Sequence, residues 1–182
     1  GLQPVLLYKV KGWAVSSRGR FPVVTKNSLT GETERKYLRW DEIRSLRLEK
    51  NVLFAKNKTA SRAMEKTVRS YNLQPSFLCD LCRQSITFKR VEELEQCLKL
   101  ISKDPEVAIH RVKNRLELNY NDEASAGYRD VLINLRIVNT ATKSLGLDIH
   151  VSEVQLLLES YAEKKTDTGH KAYVSLRNLR GE

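Results

Sequence analysis

Apolar and polar positions along this chain repeat with two periods, and each change of period marks a new element. Residues 107–118 (VAIHRVKNRLEL), 129–138 and 149–158 alternate, as strands with one buried face do. Residues 5–16 (VLLYKVKGWAVS) alternate too and predict another strand. The following RGRFPVVTKNSLTGETERKYLRW holds two short β runs, broken by Pro22 and by the SLTGET turn at 28–33. Trp40, Asp41 and Glu42 open a helical stretch to about residue 49, with Ile43, Leu46 and Leu48 on one face. Residues 58–71 (KTASRAMEKTVRSY) are helix formers whose apolar stripe is Ala60, Ala63, Met64 and Val68. LCDLCRQSITF at 78–88 predicts a helical turn running into a strand. VEELEQCLKLIS at 91–102 predicts an amphipathic helix in which Val91, Leu94, Leu98 and Ile101 share a face. SYAEKK starts a helix, and HKAYVSLRNL begins a last one.

Helices interleaved with strands, three of the strands consecutive, place the chain in the α+β class: a mixed sheet flanked by helices. Residues 1–49 are expected to form a β-rich N-terminal extension, and 50–182 the main domain. No internal repeat and no low-complexity tract interrupts this order.

Charge narrows the choice of partner. Lys and Arg outnumber Asp and Glu by 32 to 22, a net charge of +10 over 182 residues. That excess favours polyanions: nucleotides, RNA or an acidic membrane surface. No stretch is long and apolar enough to span a bilayer, and the opening GLQPVLLYKVKGW is not expected to act as a signal peptide, because a Lys interrupts its short apolar run. A start at Gly1 rather than Met suggests a segment of a longer protein. Three cysteines, Cys79, Cys82 and Cys97, make no disulfide framework and fit a reducing compartment such as the cytoplasm. The lone Cys-x-x-Cys lacks a second ligand pair for zinc, so these cysteines are expected in the core.

Several residues stand out against this background. Glu153 and Gln155 lie on one face of an apolar strand, where a carboxylate is costly unless paired or bound to a cation. Asp80 stands just ahead of another strand. Two such carboxylates can hold Mg2+, which takes one or two carboxylates and completes its shell with substrate phosphates. The structural alternatives are an Asp80–Arg83 pair and a cross-strand pair of Glu153 with Arg111, Lys113, Arg115 or Arg136. Lys56, Lys58, Arg62, Lys66 and Arg69 recur at spacings of two to four, those from 58 onward on roughly one helix face, and such a row suits a triphosphate or a solvated surface. Arg111, Lys113 and Arg115 share a strand face. Tyr128, after Gly127 at a strand entrance, could stack on a nucleobase or simply pack. His170 could contact phosphate or cap a neighbour.

Taken in order, these pieces resemble the synthetase domain of the RelA/SpoT family, the pyrophosphokinases that make guanosine tetra- and pentaphosphate. The resemblance covers roughly residues 50–180. KNKTASRAMEK resembles the family's ATP-binding basic segment, with Lys58 and Lys66 at the matching spacing. Asp80, with Arg83 close behind, resembles its metal-binding aspartate. Gly127-Tyr128 resembles the pair that presents a ring to guanine, Glu153-x-Gln155 its second acidic strand, and Gly169-His170 a pair near the domain end. The chain departs from the family at Lys56, usually Arg, and Arg62, usually Ser. Further departures are Leu132, often His, and Leu156 to Leu158, where an Arg and a Thr follow. Most of these fall on the acceptor side, and GYRD with HVSEVQL is closer to divergent members found in larger proteins.

The resemblance implies a nucleotidyltransferase-related fold and transfer of a pyrophosphoryl group from ATP, with Mg2+, to a ribose 3′-hydroxyl. On this reading Asp80 and Glu153 bind metal and carry catalysis, with Glu153 drawing the proton. Lys56, Lys58, Arg62, Lys66, Arg83, Arg111, Lys113, Arg115, Tyr128, Gln155 and His170 bind nucleotide. The acceptor is a nucleotide or an RNA 3′ end. The rival readings are a non-catalytic nucleotide- or RNA-binding module, and a structural module that meets a protein partner through residues 1–49.

Overall fold

Leu2, Leu6, Val10, Trp13 and Ala14 recur at helical intervals, and all five are buried. The computed structural model, which describes residues 1–26, 31–121 and 127–163, folds this segment as helix α1, Gln3–Ser16. The strand expected at 5–16 is therefore corrected. Its alternation was a by-product of lysines spaced two apart, while the buried set follows a period near four. Pro4 sits in the first turn, where its missing N–H leaves no gap in the helix.

The next two β runs form a hairpin, β1 (Arg20–Lys26) and β2 (Thr33–Arg39), with Pro22 inside β1. Helix α2 (Trp40–Ser45) follows, its entry fixed by the Arg39 N–H donating to Glu42 Oε2 at 2.8 Å. Beyond a 3₁₀ turn at Glu49–Asn51 come α3 (Ala60–Ser70), a second 3₁₀ turn (Pro75–Phe77), β3 (Arg83–Phe88) and α4 (Val91–Lys103). The chain continues as β4 (Val107–Asn114), β5 (Val131–Ile137), α5 (Thr140–Ser144), β6 (Ser152–Leu158) and α6 (Glu159–Glu163). The short α5 is not expected from the pattern. The helix expected from HKAYVSLRNL lies outside the described residues.

The strands form one mixed sheet in the order β2-β1-β3-β6-β5-β4. Among the described residues only β3 and β6 pair in parallel. One face carries Phe21, Val23, Ile86, Phe88, Val154, Leu156, Ile133, Leu135 and Ile137, packed against α1 and α4. Each such side chain removed from water contributes about 1.5–3 kcal/mol. Residues 1–49 supply both the hairpin and α1 to this same core.

Because strand side chains alternate, the opposite face is fixed by the same register. It presents Arg83, Ser85 and Thr87 from β3, Glu153, Gln155 and Leu157 from β6, and Leu132, Asn134 and Arg136 from β5. A bulge decides what β4 adds. Val107 and Ile109 pair with the core residues Ile137 and Leu135, but after the register shift Arg111 and Lys113 pair with Asn134 and Leu132. One extra residue, His110, thus turns the odd-numbered cations onto the polar face.

Gly19 joins α1 to β1 where no side chain fits. A Cβ there would collide with Ile86 Cγ2 and lie 3.0 Å from the Cα and Cβ of Ala14. Gly19→Ala is expected to destabilise the fold by about 1–3 kcal/mol, read as a lower urea midpoint with an unchanged slope. An unchanged midpoint would show that α1 is free to shift away from β3.

Candidate functional site

The site begins with a short extended segment that follows a single bridge, Val52 to Val23 of β1. Ala55 is held by the buried Gln84, which accepts from the Ala55 N–H at 3.2 Å and donates to its carbonyl at 3.0 Å. Gln3 of α1 donates to the same carbonyl at 2.8 Å. Three residues on, the Lys58 N–H donates to Leu81 O at 3.2 Å, and Glu153 N–H donates to Cys82 O at 3.0 Å. The backbone therefore brings Lys58, the 79–82 loop and the start of β6 to one end of the β3–β6 pair.

Asp80 is buried there. Its Oδ2 accepts from the ammonium groups of both Lys58 and Lys66, the latter at 3.0 Å, while its Oδ1 is buried with no hydrogen-bond partner. Burial alone would raise the carboxyl pKa, but hydrogen bonds from the two lysines outweigh it and hold Asp80 below the usual carboxylate range. Lys58 is pulled down by burial and then by repulsion from Lys66 and Arg83, which its bond to Asp80 does not offset. Lys66 also loses solvation, yet bonds to Tyr71 and Asp80 carry it upward.

Glu153 is buried directly across from Arg83 in the β3–β6 register. Gln155 donates to its Oε1 at 3.1 Å. Burial, followed by repulsion from Asp80, raises its pKa above the ordinary glutamate value despite the opposing pull of Arg83 and Lys66. Three cations, Lys58, Lys66 and Arg83, thus act on two carboxylates. That surplus of positive charge favours an anion, and two buried carboxylates, one with an oxygen to spare, suit a hard divalent cation.

The far half of the polar face forms a second cluster. Asp130 is fully buried and paired with Arg115, whose N–H also donates to Asp130 O at 2.8 Å. Tyr128 lies beside this pair. Burial, then the charge of Asp130, pushes its phenol pKa far above normal. Lys113 lies 5.9 Å from the Tyr120 ring, and Arg111 is exposed.

Of the residues singled out in the sequence, Asp80, Glu153, Lys58, Lys66, Arg83 and Gln155 come together. Arg111, Lys113, Arg115 and Tyr128 occupy the β4–β5 side of the same face. Lys56 and Arg62 are exposed, and the Arg62 N–H donates to the Thr59 cap at 3.4 Å. Gly169 and His170 lie outside the described residues. The structural alternatives are corrected: Asp80 pairs with two lysines, and Glu153 faces Arg83 and Asn134 and, among the described residues, forms no ion pair with Arg111, Lys113, Arg115 or Arg136. The apolar stripe of α3 is corrected too. Met64 and Val68 are exposed, and Thr67 is the buried residue, because Lys66 must turn toward Asp80. Cys82 and Cys97 are core residues as expected, the Cys97 thiol pushed up to about 12 by burial, while Cys79 is only half-buried beside Asp80 and stands outside the core. Asp130 was not foreseen. Its one signal was an acid at the head of an apolar run, fifteen residues after a basic one on the preceding strand.

No protein-family model and no curated protein matches this chain. Solved structures do resemble it. Small alarmone synthetase 1 from Bacillus subtilis shares 14% identity at a TM-score of 0.48, over 78% of this chain and 78% of that one. A GTP pyrophosphokinase family protein from Streptococcus pneumoniae shares 13% at 0.42, over 77% and 81%. The complex of the Type VI effector Tas1 with its immunity protein gives 17% at 0.47, over 95% and 69%.

The raised pKa of Glu153 has a consequence for stability. The folded chain keeps a proton that the unfolded chain has already released as pH rises. The stability this confers is full below the ordinary glutamate value and is lost as pH rises through the folded-state value. Glu153→Gln keeps the shape and removes the charge. Without divalent cations it is expected to melt above the wild type at pH 7, with the gap closing in acid. A lower melting temperature at pH 7 would show that the ionised carboxylate is favourably held.

Proposed function

We propose that this chain is a divergent RelA/SpoT-like transferase that moves a pyrophosphoryl group from ATP to a hydroxyl of a nucleotide or an RNA 3′ end. The observation that carries this reading is the pair of buried carboxylates at the same end of two adjacent strands, with Lys58, Lys66 and Arg83 in excess around them. Transfer of this kind needs mainly positioning and neutralisation of phosphate charge.

The donor set also fits Mg2+. Asp80 Oδ1 is buried without a partner, and the carboxylate oxygens are hard ligands of the right kind. Among the described residues no three metal-binding side chains gather into a closed site. Asp80 and Glu153 would hold the ion, with substrate phosphates completing its shell. When bound, it would neutralise charge on the transferring phosphates.

The protein's own groups have distinct tasks. Lys58 and Lys66 now share one Asp80 oxygen, and ATP phosphates would draw their remaining donors outward. Arg83 would add charge from the strand end. Glu153, its affinity for protons raised by burial, would accept the proton of the attacking hydroxyl. The hydroxyl oxygen then bonds to the β-phosphorus of ATP, the bond to the oxygen bridging the α-phosphate breaks, and AMP departs. On the acceptor side, Arg111 and Lys113 would meet phosphates and Tyr128 would carry the base. The +10 charge suits an RNA acceptor as well as a nucleotide.

The test is incubation with Mg2+ and γ-labelled ATP, offering GDP, GTP and bulk tRNA in turn. Label is expected to move to one acceptor class. Glu153→Gln is expected to slow that transfer by about 10²- to 10⁴-fold while ATP binding persists. Label that stays on ATP with every acceptor, in folded protein, would assign the chain instead to the non-catalytic binding modules. Turnover surviving Glu153→Gln would remove Glu153 from the proton-transfer role.

A further inference from the structure

The sheet ends on one side at β2, and among the described residues no strand pairs with its outer edge. Which backbone groups face that edge follows from β1. The Pro22 carbonyl accepts from the Leu53 N–H at 2.8 Å, and the Val24 carbonyl accepts from the Asn51 side-chain amide at 3.1 Å. Both carbonyls therefore point away from β2. Pro22 and Val24 stand opposite Tyr37 and Arg35. In an antiparallel ladder these are the non-hydrogen-bonded pairs, so the N–H and C=O of Arg35 and Tyr37 turn outward. Tyr37 O accepts from the Arg20 guanidinium at 3.3 Å. The Arg35 N–H and C=O and the Tyr37 N–H are placed to take a further strand.

Beside β2 lies an open groove of about 370 Å³. Glu34, Lys36 and Leu38 line it from β2, on the face opposite Arg35 and Tyr37, and Leu46 and Leu48 line it from the turn after α2. Leu46 is 59% exposed there, and Lys26 adds a second ammonium. Charge on an edge strand guards against self-pairing, which accounts for Arg35 and Lys36. A guarded edge needs no exposed leucine next to it, so the groove calls for a separate reason. The charges also choose the occupant. A second copy paired antiparallel about Arg35 or Lys36 would set that cation against itself. Lys36 meets only Glu34, at 3.0 Å, in a half-exposed pair that contributes little and yields readily to another carboxylate. We propose that β2 is a docking strand for an extended segment of a partner protein. That segment pairs antiparallel with the Arg35 and Tyr37 backbone and sets an apolar side chain over Leu38 and Leu46. Two residues further on it sets a carboxylate beside Lys36 and Lys26. Main-chain hydrogen bonds supply the affinity and the groove supplies the choice of side chain. The proposal is independent of the transfer reaction, because β1 separates this edge from β3 and the charged cluster.

The probe is a fluorescein-labelled synthetic peptide, Thr-Val-Thr-Leu-Thr-Glu-Thr-Val-Thr, followed by anisotropy without ATP or Mg2+. Its leucine and glutamate carry the spacing that Leu38 and Lys36 require. Wild type is expected to bind it with a Kd below about 1 mM. Replacing the glutamate by lysine, or methylating alternate backbone amides at unchanged charge, is expected to weaken binding by about tenfold or more. Leu46→Glu and Lys36→Glu change exposed side chains and are expected to fold as the wild type does, with a loss of similar size. Lys143→Glu, at the far side of the sheet, is expected to bind as the wild type. Equal binding of the methylated peptide would reduce the effect to general attraction by a basic protein and overturn the docking strand. So would an unchanged affinity in both Leu46→Glu and Lys36→Glu, or no binding of the probe to the wild type. A dimer of the peptide-free chain in sedimentation, lost in Lys36→Glu, would assign the edge to a second copy and overturn the proposal as well.

Discussion

Two carboxylates buried on one face of a sheet are the constraint around which this molecule is arranged. Asp80 and Glu153 lose solvation and repel each other, and neither cost is small in a protein interior. The chain answers asymmetrically. Asp80 receives two ammonium groups on a single oxygen, while Glu153 receives an amide and the more distant fields of Arg83 and Lys66. One carboxylate is therefore held ionised and the other is left inclined to take a proton. Two acids with pKa values driven apart by their surroundings can serve different roles at one pH, which a symmetric pair could not.

The same constraint explains the orientation of α3. An amphipathic helix ordinarily buries its apolar stripe, yet here Lys66 and Thr67 face inward and Met64 and Val68 face solvent. No apolar face anchors the helix; a partly buried ion pair and the turn at Tyr71 do. Removing one partner of such a pair strands a charge in a desolvated position, so the energetic weight of Lys66 exceeds that of an exposed lysine. A helix held this way responds to what binds beside it, because a phosphate competes for the same ammonium that holds the helix down.

What the sequence discloses follows from how local each cause is. The amphipathic period of α4 and the alternation of β5 and β6 are set by near neighbours and are legible at once. Helix α1 is not, because its alternating lysines imitate a strand. Only the run Leu2, Leu6, Val10, Trp13 shows the longer period. The orientation of α3 is illegible for a different reason. It depends on Asp80, fourteen residues beyond Lys66, and no periodicity carries that information. Asp130 is harder still. Its pairing with Arg115 requires the β4–β5 register, and the bulge after Ile109 sets the face that register presents. Asp80, Glu153 and the two lysines could be named as candidates from residue type and order. That the lysines meet on one Asp80 oxygen could not.

The N-terminal third bears on the site more directly than its place in the chain suggests. Gln3 of α1 and the buried Gln84 of β3 both bond Ala55, so the segment leading to Lys58 is held between the first helix and the central strand. Past the bridge of Val52 to Val23 and the Leu53 N–H bond to Pro22 O, that segment joins no sheet ladder. The amide side chain of Gln84 supplies the two hydrogen bonds that a neighbouring strand would otherwise provide. Each of these hydrogen bonds contributes about 0.5–1.5 kcal/mol, and the Ala55 carbonyl is shared by Gln3 and Gln84. A shift of one residue there would turn Lys58 away from Asp80, since extended side chains alternate. Residues 1–49 thus do more than extend the sheet: through one glutamine they help fix the position of a cation at the centre of the charged cluster.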